Sequence, residues 1–315
     1  MKVYDFIEDM LKYKESLGYS RGSYQGPLND FHRFLLEKHP EVTILTEQIM
    51  LEWCQKRESE NNGGFRGRAT VLREFSKYLF SIERSECILS LNYIPKHEKY
   101  TPYIFTDEEL INFFSSCDQM QPTNYSPARE IIFPMMIKLT YFCGLRPNEG
   151  RQLLKQDVDL ENGTLLIRKN KSRRERKIPM AMDILQLCRD YNDKISVIYP
   201  NRKYFFPNPK GGHYSSKWLT TQLLEQWNNS KPTNHTARVR VYDLRHRYAT
   251  AIMMKWLDEG ADLNVMLGYL SAYMGHAKFS DTAYYIHLLP KNLLETNSID
   301  WCHFETLIPE VNSDD

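Results

Sequence analysis

Long hydrophobic runs are missing from this 315-residue chain. No apolar stretch approaches the ~20 residues that a membrane-spanning helix needs, and residues 1–20 do not have the pattern of a secretory signal peptide. The same residues are expected to form an amphipathic helix whose apolar side carries Val3, Phe6, Met10 and Leu17. We therefore predict a protein without membrane attachment.

Cysteine is scarce, and its spacing excludes two further classes of protein. The chain has six cysteines and no CxxC pair. This pattern offers neither a zinc site nor the disulfide framework of a small secreted protein, so we interpret the cysteines as buried residues of a reducing, cytoplasmic compartment. Internal repeats and low-complexity segments are also absent, and the length favours two domains that each bury a core.

The net charge is only +1, which taken alone argues weakly against a nucleic-acid partner. Its distribution is nevertheless uneven. Residues 166–178, LIRKNKSRRERKI, carry seven Lys or Arg side chains and one glutamate, whereas residues 292–315 carry six acidic side chains and no Lys or Arg. The basic run is either a solvated hairpin tip or a hairpin that enters a DNA groove with its arginines on phosphates.

Apolar periodicity predicts a mainly α fold with a small β-hairpin or sheet. Residues 1–90 are expected to form four or five helices, and residues 91–104, with two prolines and little apolar content, an interdomain linker. A second, α+β domain opens with a capping box at Thr106. Residues 163–180 predict two short strands joined by the basic turn, and mainly helices follow.

Arg66 and Arg68 follow the glycine-rich turn NNGG and are expected in the first turn of the next helix. Cations at that end of a helix oppose the helix dipole. The pair is favourable if a DNA phosphate lies there. Two solvated arginines are an equally good interpretation.

Polar residues that core packing does not require occur in several separate stretches. CGLRPNEGRQL places Arg146 directly after a buried helix, where its guanidinium needs an anion: either Glu149 or an external phosphate. VYDLRHRYAT places three residues on one face near a helix N-terminus; these are Tyr242, Arg245 and His246. The basic run is a third stretch. The fourth, GHAKFSDTAYYIH, ends in two adjacent tyrosines.

Taken in order, these motifs resemble those of the tyrosine recombinase (phage integrase) family. GLRPNE is similar to the first arginine box, RKNKSRRERKIP to the lysine hairpin, YDLRH to HxLRH, and MGHAKFSDTAYYIH to the box that ends in the nucleophile. The spacing selects Tyr285 over Tyr284, which is then expected in the core. The resemblance implies six catalytic residues, Arg146, Lys171, Tyr242, Arg245, His276 and Tyr285, and DNA contacts by Arg66, Arg68, Lys169, Arg173, Arg174 and Arg176.

The resemblance also implies a mechanism. Tyr285 would attack a DNA phosphodiester and give a 3′-phosphotyrosyl link with a free 5′-hydroxyl. Arg146 and Arg245 would clamp the non-bridging phosphate oxygens. Lys171 would protonate the leaving 5′-oxygen, and His276 would donate a hydrogen bond to the phosphate. Because the ester keeps the bond energy, neither a metal nor another cofactor is implied.

Tyr242 departs from the family pattern, which usually has histidine at this position. A phenol with a pKa near ~10 is a poor proton acceptor at neutral pH. Either the base is dispensable and the chain is active, or this copy is impaired. His246, one turn further along, is interpreted as a helix-packing residue, and Glu149 as the residue that orients Arg146.

The resemblance assigns an expected role to each region. Residues 1–90 would form a helical, SAM-like core-binding domain on DNA, and residues 105–290 the catalytic domain. Residues 291–315 would dock on a neighbouring protomer or pack on their own domain. The implied partners are double-stranded DNA and copies of the chain in a tetramer that exchanges strands through a Holliday junction. The alternatives are a cleave-and-reseal enzyme of topoisomerase or resolvase type and a catalytically impaired DNA-binding regulator.

Overall fold

The computed structural model describes residues 1–96, 100–124, 126–168, 175–231 and 236–289. The chain divides into two compact units, Met1–Thr101 and Pro102–Asp315, and this division falls within the stretch predicted as a linker. Helices predominate and a small sheet is present, which confirms the predicted fold class. No helix in the described part of the chain is long and apolar enough to cross a membrane.

The first unit is helical. It contains α1 (Ile7–Ser16), α2 (Gly22–Lys38), α3 (Glu47–Trp53) and α4 (Asn62–Ser81), with short 3-10 helices at Val3–Phe6 and Leu91–Tyr93. Thr46 caps α3, because its hydroxyl accepts a hydrogen bond from the backbone N–H of Ile49 in the first turn. In the core, Phe31 meets Trp53 and Phe75 edge to face, with ring centroids 5.2 and 6.2 Å apart. Leu17 lies just past α1 and is 50% exposed, so its predicted place on the apolar side is wrong.

Arg68 on α4 is a buried structural residue, which corrects its predicted contact with DNA. Its side chain is 6% exposed, and its guanidinium forms a salt bridge with Glu60 at nitrogen–oxygen distances of 2.8 and 2.9 Å. It also donates to the carbonyl oxygen of Trp53 and lies over that indole ring. These contacts use the donors that a phosphate would need.

Arg66 lies beyond the first turn of α4, because the helix already begins at Asn62. Its Nη1 donates to the carbonyl oxygen of Pro95 at 2.6 Å, and its side chain is half-buried. The argument from the helix dipole therefore does not apply to it. A contact between Arg66 and DNA stays a prediction.

The second unit carries the remaining helices around a larger core. They are α5 (Asp107–Asp118), α6 (Arg129–Phe142), α7 (Pro147–Arg151), α8 (Met182–Ile198), α9 (Ser216–Ser230), α10 (Val241–Asp258), α11 (Leu263–Met274) and α12 (Ser280–Ala283), followed by the 3-10 helix Tyr284–Leu288. Thr106 and Glu109 form the predicted capping box of α5. Helix α6 is central, since Lys138 is the one side chain of residues 132–140 that is not buried.

A three-stranded antiparallel sheet lies between α7 and α8 in the sequence. Its strands are β1 (Val158–Asp159), β2 (Thr164–Ile167) and β3 (Arg176–Pro179), in the order β1-β2-β3. Ile167 pairs with Arg176, so the basic run connects β2 to β3 as predicted. Four of its predicted functional residues, Lys169, Lys171, Arg173 and Arg174, lie outside the described residues, as does the tail 291–315.

Candidate active site

Two helix ends hold the two predicted phosphate-clamping arginines. The chain leaves α6 through Gly144, with φ of +55°, and α11 through Gly275, with φ of +64°. Glycine adopts this left-handed backbone without the strain that a Cβ would add. The carbonyl oxygen of Gly144 accepts a hydrogen bond from Arg245 Nη1 at 2.5 Å, and that of Gly275 accepts one from Arg146 Nη2 at 2.8 Å. Each turn therefore fixes one guanidinium group.

Arg146 is bound to Glu149, as the sequence predicts. Its Nη1 donates to Glu149 Oε1 at 3.0 Å, and its backbone N–H donates to Glu149 Oε2 at 2.9 Å. The two residues thus form a capping box at the start of α7. The Arg146 side chain remains 20% exposed, so it can reach an additional anion from solvent.

Arg176, for which a contact with DNA phosphate was predicted, binds the same carboxylate in this structure. Its Nη1 and Nη2 donate to the two oxygens of Glu149 at 3.0 and 2.8 Å, and its Nε donates to the carbonyl oxygen of Tyr273 at 2.8 Å. Burial disfavours the charged form of Glu149, but Arg176 and Arg146 outweigh it and lower the pKa of Glu149 to about 2. The carboxylate is therefore ionised at neutral pH.

Arg245, in the first turns of α10, is fully buried. Its Nη2 donates to the carbonyl oxygen of Met274 at 2.6 Å and to His276 Nε2 at 3.0 Å. Among the described residues no carboxylate lies within salt-bridge distance of it, and burial lowers its pKa. A buried cation held mainly by carbonyl dipoles would be stabilised by an added anion.

His276 is a neutral imidazole with an assigned tautomer. A guanidinium group can only donate, so Nε2 must accept from Arg245, and Nδ1–H then donates to Thr282 Oγ1 at 2.7 Å. Burial and the adjacent arginines lower the pKa of His276 to about 3. In this arrangement Nε2 is an acceptor, so the predicted donation to a phosphate oxygen would require a change of partner. The sequence did not single out Thr282, although it is a polar residue only three positions before Tyr285.

Tyr285 and Tyr284 have opposite environments. Tyr285 is 2% exposed, and its ring centroid lies 5.8 Å from that of His276. Burial raises the pKa of Tyr285 to about 12, against the attraction of nearby Arg245 and Arg146. The phenol is therefore protonated at neutral pH. Tyr284 is 40% exposed, so its predicted place in the core is wrong: the 3-10 helix turns this side chain outward.

His246 lies between Tyr242 and Tyr285, with ring centroids 5.1 and 5.4 Å from theirs. Burial lowers the pKa of His246 to about 4, so the ring is neutral. This position agrees with its interpretation as a packing residue. Tyr242 itself is 37% exposed and occupies the first turn of α10.

An open cavity of about 800 Å³ adjoins this cluster. Arg146 and Tyr242 line it together with Lys203, His213 and Ser216, whereas the buried Arg245 and Tyr285 do not. In the cluster behind the cavity, Arg146, Arg176 and Arg245 outnumber the single carboxylate of Glu149, which leaves an excess of positive charge there. In the described part of the chain, no group of three or more His, Cys, Asp or Glu side chains could hold a metal ion.

The structure thus brings five of the six predicted catalytic residues into one cluster: Arg146, Tyr242, Arg245, His276 and Tyr285. The sixth, Lys171, lies outside the described residues. The cluster offers a hydroxyl nucleophile beside cations that can stabilise a phosphorane. Of the residues that hold the cluster together, the sequence predicted neither the ion pair of Arg176 with Glu149 nor the role of Thr282.

Comparisons with known proteins agree with this chemistry. Residues 106–292 match the model of the phage integrase family. The chain is 31% identical over 287 residues to the integrase/recombinase y4rE of Sinorhizobium fredii (strain NBRC 101917 / NGR234), covering 89% of this chain and 90% of that protein. It is 24% identical over 276 residues to the tyrosine recombinase XerC of Staphylococcus aureus (strain USA300 / TCH1516), covering 86% of each. The fold is similar to the XerH site-specific recombinase bound to palindromic difH substrate, with a TM-score of 0.64, 24% identity and coverage of 94% and 84%. The chain therefore belongs to the phage integrase family.

Proposed function

We propose that the protein is a site-specific DNA recombinase in which Tyr285 becomes linked to the 3′-phosphate of a cleaved strand. The observation that carries the proposal is the burial of a single phenol against Arg245 and His276, beside Arg146. A tyrosine that served only packing would not need two guanidinium groups around it. The relatives named above as recombinases support the same reaction.

In the proposed reaction, Tyr285 Oη releases its proton to water that enters with the DNA and forms a bond to phosphorus, while the bond from phosphorus to the 5′-oxygen breaks. Negative charge develops on the non-bridging oxygens, and the guanidinium groups of Arg146 and Arg245 would stabilise it. Lys171 would supply the proton that the leaving 5′-oxygen needs. Attack by the freed 5′-hydroxyl of a second strand reverses these steps and completes the exchange.

DNA binding must open this arrangement. Tyr285 is 2% exposed and Arg245 is fully buried, so a phosphate cannot reach both without displacing side chains or the 3-10 helix Tyr284–Leu288. The cavity beside Arg146 provides the approach. Phosphate would take over donors of Arg245 that now face carbonyl oxygens and His276.

The other predicted roles belong to the same proposal. Residues 1–90 would act as the core-binding domain and residues 105–290 as the catalytic domain, together clamping duplex DNA. Residues 291–315 contain several apolar side chains, such as Leu293, Ile299 and Trp301, and would dock on a neighbouring protomer in a tetramer. Truncation after residue 290 tests this part: loss of cooperative assembly on paired sites is expected, and intact assembly would contradict docking.

The test of the central proposal is covalent trapping. Duplexes that bind the protein are first selected from a randomised pool, and each is then nicked beside the cleavage position so that religation fails. The wild-type chain and Tyr284→Phe should form a covalent DNA adduct at similar rates, whereas Tyr285→Phe should form none. An adduct with Tyr285→Phe, or none with the wild type on any selected duplex, would reject the nucleophile.

Recombination is separated from cleavage and resealing by a second assay. A plasmid that carries two selected sites should exchange the segment between them. Relaxation of supercoils without exchange would favour a topoisomerase-like activity, and binding without an adduct would favour a regulator.

A further inference from the structure

We infer that Arg176 is a positioning residue, which couples the basic hairpin to Arg146 through Glu149 and does not touch DNA. The inference rests on the proposed function, because it assigns how the phosphate clamp is aligned. Arg176 belongs to the basic run and is the first residue of β3. Its side chain is 10% exposed and points away from solvent into the cluster.

The geometry around Glu149 is that of a bridge between two guanidinium groups. Arg176 binds both carboxylate oxygens in parallel at 3.0 and 2.8 Å, while Arg146 binds Oε1 at 3.0 Å. The Glu149 side chain is 6% exposed. A buried carboxylate with fixed partners leaves little freedom for either arginine, because any shift of one breaks charged hydrogen bonds.

Backbone carbonyl groups at the end of α11 accept further hydrogen bonds from the same two arginines. Arg176 Nε donates to the carbonyl oxygen of Tyr273 at 2.8 Å, and Arg146 Nη2 donates to that of Gly275 at 2.8 Å. A Cβ built on Gly275 would lie 2.8 Å from Arg176 Nη1, so the guanidinium packs directly on this glycine. Strand β3, helix α7 and the end of α11 therefore meet at Arg176.

This junction has a consequence for catalysis. The predicted general acid, Lys171, lies five residues before Arg176, whereas Arg146 lies on a separate element. The two must act on opposite parts of one phosphodiester, and a misplacement of about 1 Å can cost on the order of 100-fold in rate. Arg176 fixes the base of the hairpin relative to Arg146. Only an arginine offers two parallel donors to Glu149 and a third to Tyr273.

The experiment compares Arg176→Lys and Arg176→Gln with Arg202→Lys in the full chain. Arg202 is also a buried arginine of the second unit, 7% exposed, and it binds Asn192 and Ser196, which lie outside the cluster. Three quantities are measured: thermal unfolding, DNA affinity at several salt concentrations, and single-turnover adduct formation on the selected nicked duplex. Adduct formation is repeated with a methylphosphonate at the cleavage position, which removes one negative charge.

A positioning role predicts that both Arg176 variants form the adduct about 10- to 100-fold more slowly, with DNA affinity and its salt dependence unchanged. The defect should shrink on the methylphosphonate, because a neutral phosphonate depends less on a well-aligned Arg146. Arg202→Lys should leave the rate of adduct formation unchanged, and also the ratio of the rates on the phosphate and methylphosphonate substrates, even if it lowers the unfolding temperature.

Two results would overturn the inference. Weaker DNA binding with a smaller salt dependence would make Arg176 a phosphate contact. Arg176 would be a purely structural residue if its variants lost the same factor in rate on the phosphate and the methylphosphonate substrates, and if Arg202→Lys showed the same loss at a similar unfolding temperature. A wild-type chain that forms no adduct rejects the proposed nucleophile instead, so the two failures are distinguishable.

Discussion

Thr282 determines which nitrogen of His276 faces Arg245. Its hydroxyl accepts the Nδ1–H at 2.7 Å, which leaves Nε2 as the acceptor for Arg245 Nη2 at 3.0 Å. Thr282 is fully buried, so no water replaces it as the acceptor. Thr282 thus sets the tautomer of His276, the residue that is proposed to contact the phosphate.

Thr282→Val should therefore slow adduct formation by about tenfold and lower the free energy of unfolding by about 1–3 kcal/mol, because a buried N–H loses its acceptor. Thr282→Ser keeps the hydroxyl and serves as the control, with a rate near that of the wild type. The two quantities come from single-turnover cleavage and urea denaturation. Equal rates for the valine and serine variants would show that the tautomer does not matter.

Tyr242 occupies the place of the family's histidine, yet it is 37% exposed and lines the open cavity. We expect it to contribute at most a hydrogen bond to the phosphate. Tyr242→His should leave the cleavage rate within about an order of magnitude of the wild type at pH 7.5. A gain or loss well beyond that range would mean that proton transfer at this position limits the reaction.

Single residues also show how far the sequence could be interpreted. The family's spacing from Gly275-His276 selects Tyr285, and the structure buries this tyrosine beside His276. Charge alone did not show which of the predicted DNA-contacting arginines are buried in ion pairs within the protein. Arg176 depends on Glu149, 27 positions away, and a linear pattern does not show such a partner.

At the scale of elements, Gly144 and Gly275 follow the ends of α6 and α11 and also bind arginine side chains through their carbonyl oxygens. Their carbonyl oxygens lie at C-terminal helix ends, where the dipole favours cations, and each binds one arginine. Of the two glycines, Gly275 is the one that contacts Arg176, and it also has a φ of +64°. A side chain at this position would therefore disturb both the backbone and the inferred junction. The sequence predicted a helix end just before Arg146 but not the guanidinium groups that bind at the two glycines.

Gly275 has a left-handed backbone and a close contact with Arg176, whereas Gly260 has only the left-handed backbone. A comparison of Gly275→Ala with Gly260→Ala therefore separates the effect of the contact from that of backbone strain. Gly260 ends α10 with φ of +71° and has no atom within 4 Å of a built Cβ, so alanine there adds only backbone strain of about 1–2 kcal/mol. Gly275→Ala should cost at least as much stability and also slow adduct formation, because its Cβ displaces Arg176. Similar cleavage rates for the two alanine variants would contradict this role of the junction.

Other elements mark the limit of prediction from periodicity. Helices α8 to α11 confirm the prediction that mainly helices follow the strands. Strand β1 has two residues, too few for an alternating pattern, and it was not predicted. The segment after α12 is a 3-10 helix, and Tyr284 at its start is 40% exposed.

At the scale of the whole molecule, the buried imidazoles make stability depend on pH. The pKa of His276 is lowered to about 3 and that of His246 to about 4, mainly by burial, against an ordinary value of 6.5. Below pH 6.5 the unfolded chain binds protons that the folded chain does not, so stability is present above 6.5 and is lost as the pH falls. Glu149, with a pKa of about 2, contributes stability that is lost only below about pH 4.5.

Between pH 7.5 and 5.5 each histidine should therefore remove about 1.4 kcal/mol of unfolding free energy, or about 3 kcal/mol for the pair. Urea denaturation of the full chain at the two pH values measures the loss. The His246→Asn/His276→Asn double variant keeps polar groups of similar size that do not titrate, so its stability should change much less over the same interval. Glu149 stays ionised throughout this window, so it contributes nothing to the difference in stability between the two pH values. If the double variant loses as much stability as the wild type, protonation at other sites governs the acid response, and the two imidazoles are not held neutral by the fold.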